Sequence, residues 1–188
     1  EHMLNYDSVV SSFKDAIFTE DHMFIRPIED SKVFTGKVMN RDEFKQWQHS
    51  IVDLKEDYGN GENFSNTMIQ VSSIKTIYAE YRFWIVNQEI ITASLYKRGN
   101  KVIYSSDIDP HIYLYVNQIL RTKNGQQDIT LSVLNRGWQP HGAFVLDVAD
   151  TSDGMKVVEI NTLNSAGFYA ANLTDLVLSL ENTFNHKI

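Results

Sequence analysis

The sequence predicts one globular domain of mixed class, in which antiparallel hairpins combine with amphipathic helices. Three observations predict it. First, the 188 residues are 43% hydrophobic and 22% charged, with nine glycines and three prolines, the composition of a folded domain. A chain of this length buries roughly 70% of the surface its unfolded form exposes, enough for a core without disulfides. Second, Thr76 to Val86 alternates cleanly and runs into another strand-like segment across Asn87-Gln88, the pattern of a hairpin. Third, two stretches carry apolar residues at spacings of three and four, as helices with one buried face do.

Glu1-His2-Met3 reads as a tag remnant, leaving residues 4–188 as the domain. An amphipathic stretch follows, with Val9, Val10, Phe13 and Ile17 as its apolar residues. Met23 to Arg26 is a short strand, Pro27 to Ser31 a turn, and Lys32 to Met39 the returning strand. Asn40 with Glu43 forms a capping box ahead of Phe44, Trp47, Ile51 and Leu54, which predicts a helix. Asp57 to Asn63 mixes glycines with polar residues and reads as a flexible insert. Met68 to Val71 is a strand, and Thr76 to Val86 sets Ile77, Ala79, Tyr81, Phe83 and Ile85 against Glu80, Arg82 and Trp84. A two-residue hairpin at Asn87-Gln88 pairs Val86 with Glu89 and carries Arg82 opposite Ala93. Asp109-Pro110 opens a second helix with Ile112, Tyr115, Val116, Ile119 and Leu120 on its stripe, and Lys123-Asn124-Gly125 ends it. Ile129 to Asn135 fits helix and strand equally, and Gly142 to Ala149 is strand. A three-residue loop, Ser152-Asp153-Gly154, bracketed by Thr151 and Met155, then places Asp147 directly opposite Glu159.

Several function classes are excluded at once. With no cysteine there is no thiolate chemistry, Cys-ligated zinc or iron–sulfur cluster, and a reducing, cytoplasmic setting is favoured. No apolar run is long enough for a membrane span. A formal charge of -7 repels an extended phosphate backbone, so nucleic acid is not the expected partner. Neither G-x-x-x-x-G-K-[ST], G-x-G-x-x-G nor G-x-S-x-G occurs.

The pair Asp147 and Glu159 carries the chemistry. Opposed carboxylates on adjacent strands repel unless a cation sits between them. Asn161, two residues beyond Glu159, adds an amide oxygen from the same face. Two carboxylates and an amide oxygen suit Mg²⁺ or Mn²⁺; the six histidines show no spacing for zinc. An arbitrary acidic pair is better explained by a solvated face, but Asp147 interrupts apolar sequence, and a carboxylate in such surroundings needs a partner. The small polar residues from Asn161 to Tyr169 lead into a helix bearing Leu173, Leu176, Val177 and Leu180, and offer amides to an anion or simply cap that helix. Arg26, Lys32 and Arg82 are taken singly as surface ion pairs; together with an acidic metal cluster they suggest nucleotide phosphate.

Phe24-Ile25-Arg26-Pro27, Asp30 to Gly36, Glu80-Tyr81-Arg82-Phe83, Ser94-Leu95-Tyr96, Val145 to Ala149, Val158-Glu159-Ile160-Asn161 and Asn164 to Tyr169 occur in this order. The set resembles the successive motifs of the ATP-grasp superfamily, in its divergent clade marked by two arginines and one lysine. The resemblance implies an α+β ATP-grasp fold, two antiparallel-sheet lobes with helices enclosing a nucleotide cleft: a lysine-bearing lobe over about 20–72 and a metal-binding lobe over about 73–188. It implies that Lys32 contacts the α- and β-phosphates, that Arg82 and Arg26 stabilise the γ-phosphate or an acyl phosphate, and that Asp147, Glu159 and Asn161 hold Mg²⁺. It also implies nucleotide contacts from Glu80 and Asn164 and an adenine-binding hinge on the Met68-Ile69-Gln70-Val71 strand, with Gln70 and Val71 contributing through the backbone.

The implied activity is ATP- and Mg-dependent ligation of a carboxylate to an amine through an acyl phosphate, with peptides, proteins or small molecules as substrates. Two alternatives stand beside it: a nucleotide-binding regulatory module without turnover, and an ATP-dependent phosphotransferase. Only about twenty residues precede Phe24 where related proteins often carry a further N-terminal region, so the expectation is one of three: the chain is truncated, a partner supplies that region, or the chain is a short form acting as a homodimer.

Overall fold

A computed structural model of the protein describes residues 2–29, 33–58, 64–120 and 142–185. Lys32 with the Asp30-Ser31 part of its turn, the insert at 59–63, the Lys123-Asn124-Gly125 helix end and the Ile129 to Asn135 segment lie outside the described residues, as does the side chain of Leu54. The chain divides into two compact units, residues 5–74 and residues 75–188, the second joined by His2–Leu4. Among the described residues, no helix is long and apolar enough to cross a membrane.

The first unit is a four-stranded antiparallel sheet of β1 (Val9–Ser12), β2 (His22–Pro27), β3 (Lys37–Asn40) and β4 (Met68–Ser72), in the order β1-β4-β2-β3. Helix α1 (Arg41–Tyr58) covers one face. Phe13, fully buried, meets Phe44, Trp47 and Phe64 with centroids 5.4, 4.7 and 5.0 Å away, each pair edge-on. The amphipathic stretch expected before it is a correction: Val9, Val10 and Ile17 are exposed, and residues 9–12 join the sheet beside β4. An open strand edge satisfies their backbone groups, which a lone apolar stripe does not. The returning strand also starts later than expected, at Lys37. At Gly36 the chain crosses β2 so closely that a Cβ would stand 2.8 Å from the Phe24 ring.

The capping box forms as the sequence predicts. The Glu43 backbone N–H donates to Asn40 Oδ1 at 2.8 Å, and the Asn40 N–H donates to Glu43 Oε2 at 3.2 Å. Asn40→Ala is therefore expected to cost about 1 kcal/mol of stability, read as a lower urea midpoint with unchanged slope.

The second unit is a five-stranded antiparallel sheet of β5 (Ile77–Val86), β6 (Glu89–Arg98), β7 (Lys101–Ser105), β8 (Ala143–Thr151) and β9 (Gly154–Asn161), in the order β7-β6-β5-β8-β9. Helix α2 (Pro110–Leu120) packs Ile112, Val116, Ile119 and Leu120 against Phe83, Ile85, Phe144 and Leu146 on one face. On the other face, α3 (Leu173–Phe184) lays Leu176 over Trp84, Val86 and Val145. Strands β5 and β8 are thus covered on both sides, which is why they read as nearly continuous apolar sequence.

Two registers differ from the sequence expectation. The β5–β6 turn closes as a two-residue hairpin, with Asn87 and Gln88 both at positive φ, but a bulge past Trp84 moves Arg82 opposite Ser94 instead of Ala93. At β8–β9 the loop has two residues, Ser152 and Asp153, because Thr151 pairs with Gly154 rather than bracketing a longer loop with Met155. A bulge between Asp147 and Val148 then restores the missing step, and Asp147 does face Glu159.

Candidate functional site

On the α3 face of the second unit, four adjacent strands each contribute one residue to a transverse row: Ser94 from β6, Arg82 from β5, Asp147 from β8 and Glu159 from β9. The neighbouring row is Thr92, Trp84, Val145 and Asn161. Directly paired residues on antiparallel strands share a face, so the site follows from register alone.

At the centre of the row, Arg82 Nε donates to Asp147 Oδ1 at 2.8 Å and Arg82 Nη2 donates to Oδ2 at 2.7 Å. The side chains are 9% and 2% exposed. This two-pronged pairing is the strongest geometry available to a guanidinium and a carboxylate. Arg82 Nη1 also donates to the Gly167 carbonyl at 3.4 Å, and the guanidinium carbon lies 5.5 and 5.1 Å from the ring centroids of Tyr96 and Tyr169.

The charge balance of the row is unequal. Burial pushes the Asp147 carboxyl above its ordinary value; Arg82 pulls it back, and the Glu159 charge raises it further. The hydrogen bond to Asp147 in turn holds the Arg82 guanidinium above its ordinary value. One arginine faces two opposed carboxylates, so the row itself carries more negative than positive charge.

Glu159 Oε1 accepts from Asn161 Nδ2 at 2.6 Å, and turning that amide over presents Oδ1 in the same place. Among the described residues, no group of three or more His, Asp or Glu gathers. The candidate metal ligands are therefore the two carboxylates and the amide oxygen. Few protein oxygens, all hard, with the rest of the shell left to water and phosphate, fit a magnesium-like ion.

Glu80 lies one step along β5 on the same face. A bulge between Glu80 and Tyr81 brings two β6 residues to it: Tyr96 Oη donates to Oε2 at 2.9 Å and Lys97 Nζ to Oε1 at 2.6 Å. Burial is the largest influence on Tyr96 and raises its phenol well above the ordinary range. Thr92 and Ser94 anchor the segment after β9, with Thr92 Oγ1 accepting from the Asn172 N–H at 2.8 Å and Ser94 Oγ from the Ala170 N–H at 3.1 Å. Asn172 then caps α3, and Asn164 is exposed in a 3-10 turn at Leu163–Ser165, its Oδ1 accepting from the Thr162 hydroxyl at 2.6 Å.

Of the expected site residues, the structure brings together Arg82, Asp147, Glu159 and Asn161, with Glu80 alongside. The first unit holds the others that are described, apart from the exposed Asn164. Arg26 on β2 pairs with Gln70 on β4, on the face turned away from α1. Val71 is buried, and β4 runs between β1 and β2, so of the hinge pair it is the Gln70 side chain that the sheet presents. Sequence reasoning missed Tyr96, Lys97 and Tyr169 as neighbours of Arg82 and Glu80. An unbroken register places Tyr96 opposite Ala79 on the core face, and the bulges that move it leave no signal in the residue pattern.

A family model for an ATP-grasp domain, family 3 of the clade named for its two arginines and one lysine, matches residues 5–180. No curated protein matches the chain. Among solved structures, D-cycloserine synthetase DcsG is similar at a TM-score of 0.57 and 8% identity, over 96% of this chain and 64% of that one. D-alanine–D-alanine ligase from Bacillus anthracis is similar at 0.53 and 11%, over 96% and 63%. The ATP-grasp ligase PsnB, complexed with a phosphomimetic variant of a minimal precursor, Mg and ADP, matches at 0.42 and 13%, over 78% and 38%. The chain spans less than two thirds of the length of each, and similarity at these identities is one of fold.

Proposed function

Because this chain belongs to the third family of that two-arginine, one-lysine clade of ATP-grasp domains, we propose that it is an ATP-dependent ligase joining a carboxylate to an amine through an acyl phosphate. The observation that carries the reading is the row Arg82, Asp147 and Glu159 with Asn161 beside it, an arginine set among hard oxygen ligands on one sheet face. In the first step a carboxylate oxygen attacks the γ-phosphorus and ADP leaves; in the second the amine attacks the acyl carbon, phosphate leaves and the amine proton is lost.

Asp147, Glu159 and Asn161 are the residues that would hold Mg²⁺. When bound, the ion neutralises phosphate oxygens and so favours transfer. Arg82 is assigned to the γ-phosphoryl oxygens, where a guanidinium fixed in advance stabilises charge without reorganising. Asp147 keeps that arginine in one orientation. Glu80, held between Tyr96 and Lys97, and the exposed Asn164 are assigned to the nucleotide, as is Gln70. Arg26 and Lys32 are assigned to phosphates on the clade resemblance. The same resemblance supports a peptide or protein as acceptor.

The test is a titration of the chain with ATP in the presence and absence of Mg²⁺, followed by an acceptor screen for ADP release. The expected result is a thermal shift with ATP that EDTA abolishes, and ADP formation with an amide product. An absence of any ATP-dependent shift overturns the reading, and a stable phosphorylated acceptor replaces ligation with simple phosphoryl transfer.

A further inference from the structure

We propose that Tyr169 is a positioning residue for Arg82, its ring fixing the plane in which the guanidinium meets both Asp147 and an incoming phosphoryl group. The inference rests on the ligase reading above.

Tyr169 has φ of 52°, in the left-handed region that an aromatic residue rarely occupies. A backbone held there persists only where surrounding contacts determine it. Those contacts are specific. The Tyr169 ring stacks on Tyr96 at 5.2 Å and 20°, and lies 4.9 Å from Tyr104 at 30°. Tyr96 is itself tied by its hydroxyl to Glu80. Gly167 runs against the Tyr169 ring, where an added Cβ would stand 3.4 Å away, and its carbonyl accepts from Arg82 Nη1. The next residue, Ala170, is pinned to Ser94, which faces Arg82 across the β5–β6 pair. These contacts of the loop converge on one guanidinium.

Asp147 grips the Nε and Nη2 edge, but an edge contact leaves the plane free to tilt. The two tyrosine rings remove that freedom, and they do so favourably, since a cation beside an aromatic face is attracted to it. A guanidinium carries five N–H donors. With Asp147 and Gly167 served, Nη1 and Nη2 each retain one N–H to offer a phosphoryl group. Tyr169 therefore connects the segment after β9, whose strand carries Glu159 and Asn161, to the orientation of Arg82 on β5.

Because Arg82 is assigned to the γ-phosphoryl group, the consequence is selective for ATP over ADP. The full chain should be titrated calorimetrically with Mg-ATP and with Mg-ADP, as wild type, Tyr169→Leu, Tyr169→Phe and Tyr169→Leu in an Arg82→Lys background. Tyr169→Leu is expected to weaken ATP about tenfold, the order of a lost cation–π contact, and ADP less than about twofold. Tyr169→Phe, which keeps the ring, should retain the wild-type preference. In the Arg82→Lys background Tyr169→Leu should change the ATP-to-ADP ratio no further. Equal losses for both nucleotides, or damage from Tyr169→Phe as large as from Tyr169→Leu, overturn the proposal. If the wild type prefers ATP and Tyr169→Leu keeps that preference, only the role of Tyr169 falls. If the wild type binds neither nucleotide, the ligase reading falls and takes this one with it.

Discussion

Asp147→Ala is expected to destabilise the unit of residues 75–188 by about 3–5 kcal/mol, because it leaves the Arg82 charge buried without its counter-ion. Arginine cannot shed its proton in a protein, so the penalty has no escape. Arg82→Met should cost less. It strands Asp147 instead, and a carboxyl whose proton affinity burial already raises can neutralise itself by taking up a proton. The double variant Arg82→Met with Asp147→Leu should recover most of the loss, since two apolar groups of similar volume carry no unpaired charge. Chemical denaturation of the variants measures all of this. If Asp147→Ala proves no worse than Arg82→Met, the pair is not held desolvated within the sheet.

Glu159→Gln should separate stability from function. The substitution keeps the side chain's shape and its contact with Asn161 while removing a negative charge directly opposite Asp147, so the melting temperature should hold or rise slightly. Magnesium-dependent ATP binding and turnover should nevertheless fall by about 100-fold, as loss of a charged metal ligand removes several kcal/mol of electrostatic stabilisation. That opposition in sign distinguishes a ligand from a structural carboxylate. Unchanged nucleotide binding in Glu159→Gln would remove Glu159 from the metal set.

Much of this was legible in the chain. Asn40 and Glu43 announced α1 because both partners of a capping box lie within one turn and need nothing from the rest of the fold. The Ile77–Val86 alternation and the Asn87-Gln88 turn announced the central hairpin for the same reason. Asp147 and Glu159 also emerged as opposed, although the loop is one residue shorter than expected and a bulge makes up the difference. The Arg82–Asp147 pair did not emerge. It joins β5 to β8 across 65 residues, and no local spacing records which strand lies beside β5.

The sequence by itself determined most of the element types and the residue kinds from which a metal and phosphate site can be built, because these depend on periodicity, turn chemistry and side-chain charge within short windows; the α+β class followed from the resemblance carried by the ordered motifs. Only the tertiary structure decided that Arg82 pairs with Asp147 in a buried rather than a surface ion pair, that Ser94 and not Ala93 lies opposite it, and that the stacked rings of Tyr96 and Tyr169 lie beside it. The physical reason is register. A single bulge moves a strand by one residue, and with a side-chain period of two that step decides which groups share a face.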